Sequence, residues 1–330
     1  MLRIVSAAIF LLLSGWVCFS QGAEKADGDP IRLGLILSGV YADVMGTGSA
    51  MAARMAVEDF GGTVLGRRIE ILVADHQNKA EIAAAQARRW FETQNVVALM
   101  DVAASATALA AQDVAKQHDK IIILSGPVTT RLTNENCAPQ TVHYAYYTYA
   151  LDTATGTAIT KAGGKTWFFL AADYTFGSDL ERDASASVKA NGGSVLGDVR
   201  HPLNTADFSS FLLQAQASKA QIIGLANAGG DTDQTIKQAH EFGLTQSGQK
   251  LAALLMYDTE VDAMGLEITQ GMLTTSGFYW DRTEATRAFS RRFFDRIGKM
   301  PNRRGPASIP RRCTISRPSR PSALSIRRRS

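Results

Sequence analysis

The chain has 330 residues, 45% of them hydrophobic and 20% charged, which is ordinary for a globular protein with one large or two moderate cores. Its formal net charge of +4 comes from the end of the chain, because residues 303–330 hold nine arginines and no lysine, aspartate or glutamate. Subtracting those nine charges from +4 leaves −5 for residues 1–302, which argues against a nucleic-acid partner.

The first residues have the pattern of an export signal. Arg3 supplies a positive charge, residues 4–13 are almost wholly apolar, and residues 20–23 include small side chains suited to cleavage. Cys18 leaves a lipoprotein anchor as an alternative, which the bulky residues before it disfavour. We therefore predict that residues 1–22 are a cleaved signal peptide and that the mature protein works outside the cytoplasm. No later apolar run is long enough to cross a bilayer.

The first half of the body alternates strands and helices. Residues 31–37 form a short apolar run between turn residues, which predicts a buried strand. The pattern then predicts a helix over 46–60, ended by two glycines. Further strands are predicted at 69–74, 96–100 and 121–124, and further helices at 79–94 and 105–117. Such alternation predicts a parallel sheet with helices on both faces.

The same alternation begins again near residue 150. It predicts helices at 152–162, 176–190, 208–217, 231–242 and 284–297, and strands at 166–171, 194–199, 222–226, 251–256 and 272–279. The predicted fold is therefore α/β with two doubly wound lobes. We predict that lobe 1 comprises residues 23–149 plus about 278–302, and that lobe 2 comprises 150–277. A cleft between two such lobes suits a small-molecule ligand.

The residues 303–330 have two interpretations. The first is a disordered basic extension. The second is a frameshift, since codons can be chosen for residues 307–326 such that the adjacent frame encodes a helix with apolar residues at helical spacing. We favour the second interpretation, in which the C-terminus of the fold is truncated or frameshifted.

The sequence offers little for catalysis. It has no nucleophile elbow, phosphate loop, Cys-x-x-Cys pair or His-x-x-x-His pair. Cys137 stands alone in the body, so no disulfide is expected there. Asp231 and Asp233 follow two glycines and are interpreted as helix N-cap and first-turn acids, not as a cation site. We predict that the protein is not an enzyme and needs no metal or cofactor.

One turn suits an anion. Residues 101–107, Asp-Val-Ala-Ala-Ser-Ala-Thr, leave a predicted strand and enter a predicted helix. Their hydroxyls and the free backbone N–H groups of the helix would bind a carboxylate. The alternative is that Ser105 only caps the helix, and the two roles can coexist. The loop 125–130 follows the next strand and would lie beside this turn.

Taken in order, the segments IRLGLILSGVYADVMGTGSAMAARMAVEDFGG, DVAASAT, ILSGPVTTRLT, ADYTFGSDL and QAHEFGL carry a resemblance to a known family. Over about residues 31–302, the chain resembles type I periplasmic substrate-binding proteins of the leucine/isoleucine/valine-binding family. These are the receptors of branched-chain amino acid ABC transporters. The resemblance implies two lobes joined by three hinge strands, a periplasmic location, a small carboxylate or amino-acid ligand and a membrane permease as partner.

The resemblance also implies site residues. Ser105 matches the serine that binds the ligand carboxylate, and Gly126 and Thr129 fall in the loop that assists it. Tyr41 lies on the first loop. Tyr174 and Phe176 fall where the second lobe supplies an aromatic wall.

Three further positions decide the ligand class. Ala228 lies where amino-acid binders can place another tyrosine, and Tyr257 and Asp258 lie near the position at which the family places the acid that pairs with the ligand ammonium. The small residue at 228 leaves open a ligand without an ammonium group, such as an aromatic or other carboxylic acid. A ligand-sensing module of a signalling system, built on the same pocket, is a further alternative to transport.

Overall fold

The computed structural model describes residues 28–38 and 46–302. Its first sheet contains six strands: β1 (Ile31–Leu37), β2 (Thr63–Val64), β3 (Arg67–Asp75), β4 (Val96–Met100), β5 (Ile121–Leu124) and β6 (Thr141–His143). They lie in the order β2-β3-β1-β4-β5-β6, and every pair is parallel except β2 with β3. The helices of this part are α1 (Thr47–Phe60), α2 (Ala80–Thr93) and α3 (Ser105–Gln117), with a short 3-10 helix at Thr130–Leu132.

The second sheet contains four parallel strands: β7 (Thr166–Ala172), β8 (Ser194–His201), β9 (Ile222–Ala226) and β10 (Lys250–Ala253). Their order is β10-β9-β7-β8. The helices of this part are α4 (Thr148–Lys161), α5 (Thr175–Ala190), α6 (Ser209–Ala217), α7 (Gly230–Glu241), α8 (Asp258–Met264) and α9 (Leu266–Thr269). Helix α10 (Glu284–Ile297) follows and returns to the first sheet.

The strand sequences match their positions in the sheets. Central β9 reads Ile-Ile-Gly-Leu-Ala and is buried at every residue, because helices cover both faces of the sheet. Edge strand β8 alternates exposed and half-buried residues until its buried last residue, since successive side chains point to opposite faces. A parallel sheet of this kind brings its loops and helix N-termini together at the strand carboxyl ends.

Each sheet carries apolar cores on both faces, which makes both lobes doubly wound. In the first, Trp90 of α2 packs with α3 on one face, while Met55 of α1 packs with Phe289 of α10 on the other side. In the second, Leu180 of α5 and Leu212 of α6 belong to separate buried clusters. The predicted α/β fold with two doubly wound lobes is therefore confirmed.

Two ion pairs join α10 to α1. Arg292 contacts Asp59 at 2.7 Å, and Arg296 contacts Glu58 at 2.6 Å. The hydrogen bonds that Arg296 donates to Glu58 lower the pKa of this carboxyl group. These pairs are exposed, so the apolar contact beneath them contributes most of the docking energy.

Most predicted elements are present, but the strand predicted at 272–279 is wrong. This segment has no ladder partner in the described chain, and its threonine hydroxyls bond to residues of the second lobe instead. The Thr274 hydroxyl donates to the Met256 carbonyl at 3.0 Å, and the Thr275 hydroxyl lies 2.8 Å from that of Thr155.

The short elements β2, β6, α8 and α9 were not predicted from the sequence. The predicted signal peptide 1–22, Tyr41 and the tail 303–330 lie outside the described residues. Among those described, no helix has the length and apolar character to span a bilayer.

The packing of α4 on α5 encloses one carboxyl group without a partner. Asp152 is fully buried, and neither of its carboxyl oxygens has a hydrogen bond in the described chain. Burial raises the pKa of Asp152 well above its usual range; nearby Asp183 raises it further and Arg182 lowers it. Because the folded state holds this proton more tightly, the contribution of Asp152 to stability falls as pH rises through the raised pKa.

We expect Asp152→Asn to stabilise the protein. At pH 8 the wild type must take up a proton or bury a charge at Asp152 when it folds, and the neutral amide of Asn avoids this cost. Because one pKa unit corresponds to about 1.4 kcal/mol, the free energy of unfolding should rise by about 1–3 kcal/mol. Near pH 4 the gain should shrink, since Asp152 is then protonated in the wild type. Urea unfolding at both pH values measures this. Asp113→Asn, on an exposed face of α3, is the control, and an Asp152→Asn variant that is no more stable than this control contradicts the prediction.

Candidate functional site

A strained turn leads from β4 into α3. Asp101 and Val102 both have positive backbone φ angles, 72° and 44°, which side-chain-bearing residues rarely adopt. Such strain persists where the surrounding structure holds it, often at functional sites. Ala104, and not Ser105, is the N-cap residue of α3. The interpretation of Ser105 as a simple helix cap is therefore wrong.

Ser105 is the first residue of α3 and is 2% exposed, and its hydroxyl makes no hydrogen bond within the described chain. It lines a large cavity together with Ala103 and Ala104. The free N–H groups of the first helical turn lie at the same place and carry partial positive charge. This arrangement suits a carboxylate.

Gly126 lies beside this turn and also lines the cavity. A Cβ at this position would lie 2.9 Å from a carboxyl oxygen of Asp101 and 3.0 Å from the Cα of Ala103. The Ser125 hydroxyl donates to Asp101 at 2.9 Å and ties the two strand ends together. A side chain at 126 would therefore push the loop away from the helix N-terminus.

Thr129 does not lie where the predicted contact with the ligand carboxylate would need it. It is fully buried and is not among the residues that line the cavity. Its hydroxyl donates to Asp179 of α5 at 2.5 Å. The structure therefore does not bring Thr129 together with Ser105 and Gly126.

The second lobe supplies the opposite side of the cavity. Tyr174 is the N-cap residue of α5 and Phe176 lies in its first turn. Their ring centroids are 5.8 Å apart, and both residues line the cavity. Ala228 follows β9 and lines it too. Tyr257 is 4% exposed and its hydroxyl lies 3.2 Å from that of Tyr146. Asp258, the first residue of α8, is half-buried in the same wall.

The cavity has a volume of about 1070 Å³. The residues that line it include all the predicted site residues within the described ranges except Thr129. It also extends to residues near the end of the described chain, among them Trp280, Phe294 and Lys299.

Sequence reasoning missed three acids of this cavity, Asp233, Glu260 and Asp262. Asp233 is a first-turn acid of α7, as interpreted, but its Oδ1 is buried without a hydrogen bond in the described chain. The local signal was present, because Asp233 follows two glycines at a strand end. Asp231 is also a first-turn acid but not the N-cap, which is Gly229. Its carboxylate accepts from the backbone N–H of Asn204 and Thr205.

Burial shifts the acids of this wall towards the neutral form. Desolvation raises the pKa of Glu260 to about 7, partly offset by the Tyr257 backbone N–H and reinforced by Asp233 and Asp258. Burial likewise raises the pKa of Asp258 and of Asp233. The Oδ2 of Asp258 is buried and has no hydrogen bond in the described residues. Buried carboxyl oxygens without a partner, such as those of Asp258 and Asp233, attract a cation or a hydrogen-bond donor.

The geometry contains no sign of a metal centre in the part of the chain described. No group of three or more His, Cys, Asp or Glu side chains there is arranged to hold a metal ion. Cys137 is exposed and free. The cavity is therefore best described as a binding cleft, with donors on one wall, and aromatic rings and acids on the other.

Two lobes with a cleft of this composition define a class of small-molecule receptor. The family model described as periplasmic binding protein matches residues 30–307, and the chain belongs to that family.

Similar proteins of known family support this assignment. The Leu/Ile/Val-binding protein homolog 6 of Brucella abortus (strain 2308) is 25% identical over 271 residues, 80% of this chain and 68% of the relative. A periplasmic binding protein of Burkholderia mallei is 54% identical with a TM-score of 0.80, over 83% of this chain and 73% of that one. A branched chain amino acid ABC transporter periplasmic ligand-binding protein of Burkholderia xenovorans LB400 is 35% identical with a TM-score of 0.72, over 84% and 74%.

The predicted class, a ligand-binding receptor of an ABC transporter, is thereby confirmed. This family consists of receptors and is not a class of enzymes, and its name implies a periplasmic location.

Proposed function

We propose that the cleft binds a branched-chain amino acid or a similar small amino acid and presents it to a membrane permease. The ligand carboxylate is placed at Ser105 and the N-terminus of α3, next to Gly126. The ammonium group is placed at Asp258, with Asp233 and Glu260 nearby. One observation carries the proposal: an unengaged serine hydroxyl at a helix N-terminus and unpaired buried carboxyl oxygens line the same cavity.

A second candidate is an aromatic carboxylic acid bound at the same serine. Tyr174 and Phe176 supply ring surfaces, and the small side chain of Ala228 leaves room. The raised pKa of Glu260, about 7, would let that acid remain neutral beside a ligand without a positive charge. This candidate needs no ammonium partner, so the two proposals differ in what they require of Asp258.

We further propose that residues 1–22 are removed on export, and that the lobes are 23–149 with about 278–302, and 150–277. Supporting this division, the chain leaves the first sheet after His143 and enters α4 at Thr148. It returns between Met272 and Phe278, which packs with α1 and α10. Domain closure over the ligand is the motion known for periplasmic binding proteins. The same receptor would serve a sensing partner if no permease accompanies it.

Titration calorimetry with leucine, isoleucine, valine, benzoate and 4-hydroxybenzoate tests the ligand class. If an amino acid binds, Asp258→Asn should weaken it by about 10- to 150-fold, the value of a hydrogen bond to a charged group. If an aromatic acid binds, the same change should leave its affinity unaltered or raised. Glu267→Gln, on exposed α9 outside the cavity, is the control. An amino acid that binds Asp258→Asn as tightly as wild type refutes the placement of its ammonium group.

A further inference from the structure

The loop after β5 belongs to the first sheet by sequence but packs into the second lobe. Val128 is 5% exposed and lies in the buried cluster that contains Leu151 and Phe176 of the second lobe. The backbone N–H of Thr148, the first residue of α4, donates to the Val128 carbonyl at 2.6 Å. Val128 is therefore packed against α4 and α5.

The next two residues are held by α5 itself. Asp179 is 4% exposed and accepts the Thr129 hydroxyl on one carboxylate oxygen. Arg182 donates to its other oxygen at 2.7 Å and reaches the Thr130 hydroxyl at 3.3 Å. Two residues one turn apart on α5 thus hold two adjacent threonines. A buried carboxylate is stable only while such partners remain, so this contact is specific.

The preceding residues are held by the first lobe instead. Gly126 packs against the turn at Asp101 and Ala103, and the Pro127 carbonyl lies 2.8 Å from the Nε2 of His143 at the end of β6. The attachment of the loop therefore changes from one lobe to the other between Pro127 and Val128. Since the φ angle of proline is fixed by its ring, rotation there is confined to Pro127 ψ and Val128 φ.

We infer that Asp179 is a positioning residue and that this loop bends on closure on both sides of residues 128–130. One bend lies between Pro127 and Val128, and the other lies between Thr130 and Leu132, which is buried in the core of the first lobe. Asp179 keeps residues 128–130 attached to the helix that carries Tyr174 and Phe176. The loop residues that line the cavity, Gly126 to Val128, then have a defined spacing from the aromatic wall. Only the consequence for affinity rests on the proposed function; the attachment itself does not.

Amide hydrogen exchange of the ligand-free protein tests the attachment. Thr129→Val removes the hydroxyl at nearly constant volume, and we expect the Thr148 amide, which donates to the Val128 carbonyl, to exchange about 10-fold faster. Thr129→Ser keeps the hydroxyl and should restore slow exchange. Thr235→Val is the matched control, because Thr235 is fully buried and its hydroxyl donates to the Asp231 carbonyl within the second lobe.

The inference is wrong if Thr129→Val leaves the exchange rate of the Thr148 amide unchanged. It is also wrong if exchange becomes faster to the same extent throughout the second lobe, as a general loss of stability would cause. Calorimetry with L-leucine and with benzoate adds the affinity readout. We expect about 5- to 10-fold weaker binding of whichever probe the wild type binds, through lost preorganisation, and recovery in Thr129→Ser. If wild type binds neither probe, the proposed ligand class fails while the exchange result still decides the attachment.

Discussion

Ser105→Ala should weaken ligand binding by about 10- to 150-fold, because it removes the proposed hydroxyl donor to the ligand carboxylate in a buried site. The backbone N–H groups of α3 remain, so binding should be reduced and not abolished. The Ser105 hydroxyl has no hydrogen bond in the described protein, and its removal should leave the fold unaffected. Calorimetry with the ligand identified from the panel measures the change, and thermal unfolding confirms an unaltered fold.

Ser210→Ala is the matched control for this experiment. Ser210 is an exposed serine near the start of α6, and it is not among the residues that line the cavity. Equal affinities of Ser105→Ala, Ser210→Ala and wild type would remove Ser105 from the binding site, and with it the proposed orientation of the ligand.

Gly177→Ala should produce the largest loss of stability, about 3 kcal/mol, at the upper end of what overpacking costs. A Cβ at Gly177 would lie 2.1 Å from the backbone carbonyl oxygen of Ala172, the last residue of β7. No side-chain rotation can relieve a contact with backbone, so α5 must move away from the sheet. Because Tyr174 and Phe176 lie at the start of α5, ligand affinity should fall as well.

Urea unfolding measures the effect of Gly177→Ala. Gly230→Ala is the control, since a Cβ there meets no atom within 4 Å and Gly230 begins helix α7. Its stability should stay within about 1 kcal/mol of wild type. A Gly177→Ala protein as stable as this control would mean that β7 and α5 are not packed as closely as described.

The sequence predicted best those elements whose signals are local. The bounds of α3, β5, β9 and α10 match the predictions to the residue, because each is an apolar or amphipathic run between turn or cap residues. The strand predicted at 272–279 failed because an apolar segment with β-branched residues looks the same whether or not a ladder partner exists. Whether a segment has a ladder partner depends on the tertiary fold, which a local pattern does not show.

The same difference between local and tertiary signals applies to the site. Ser105 and Gly126 follow strands, and the strand ends of a parallel sheet meet, so their proximity could be predicted. Thr129 lies close to them in sequence but is held by Asp179, fifty residues later, and no local pattern shows this contact. Glu260 could not be placed because its burial depends on how α7 and α8 pack.

The docking of α10 on α1 has a consequence for how the protein is made. The first sheet begins at Ile31, yet the helix that supplies Phe289 and Phe293 to its α1 face is translated only after the whole second sheet. During synthesis, Met55 and its neighbours must wait for a partner more than 200 residues away. A chaperone that shields this face, or early folding of the inserted lobe, would protect the nascent chain from aggregation.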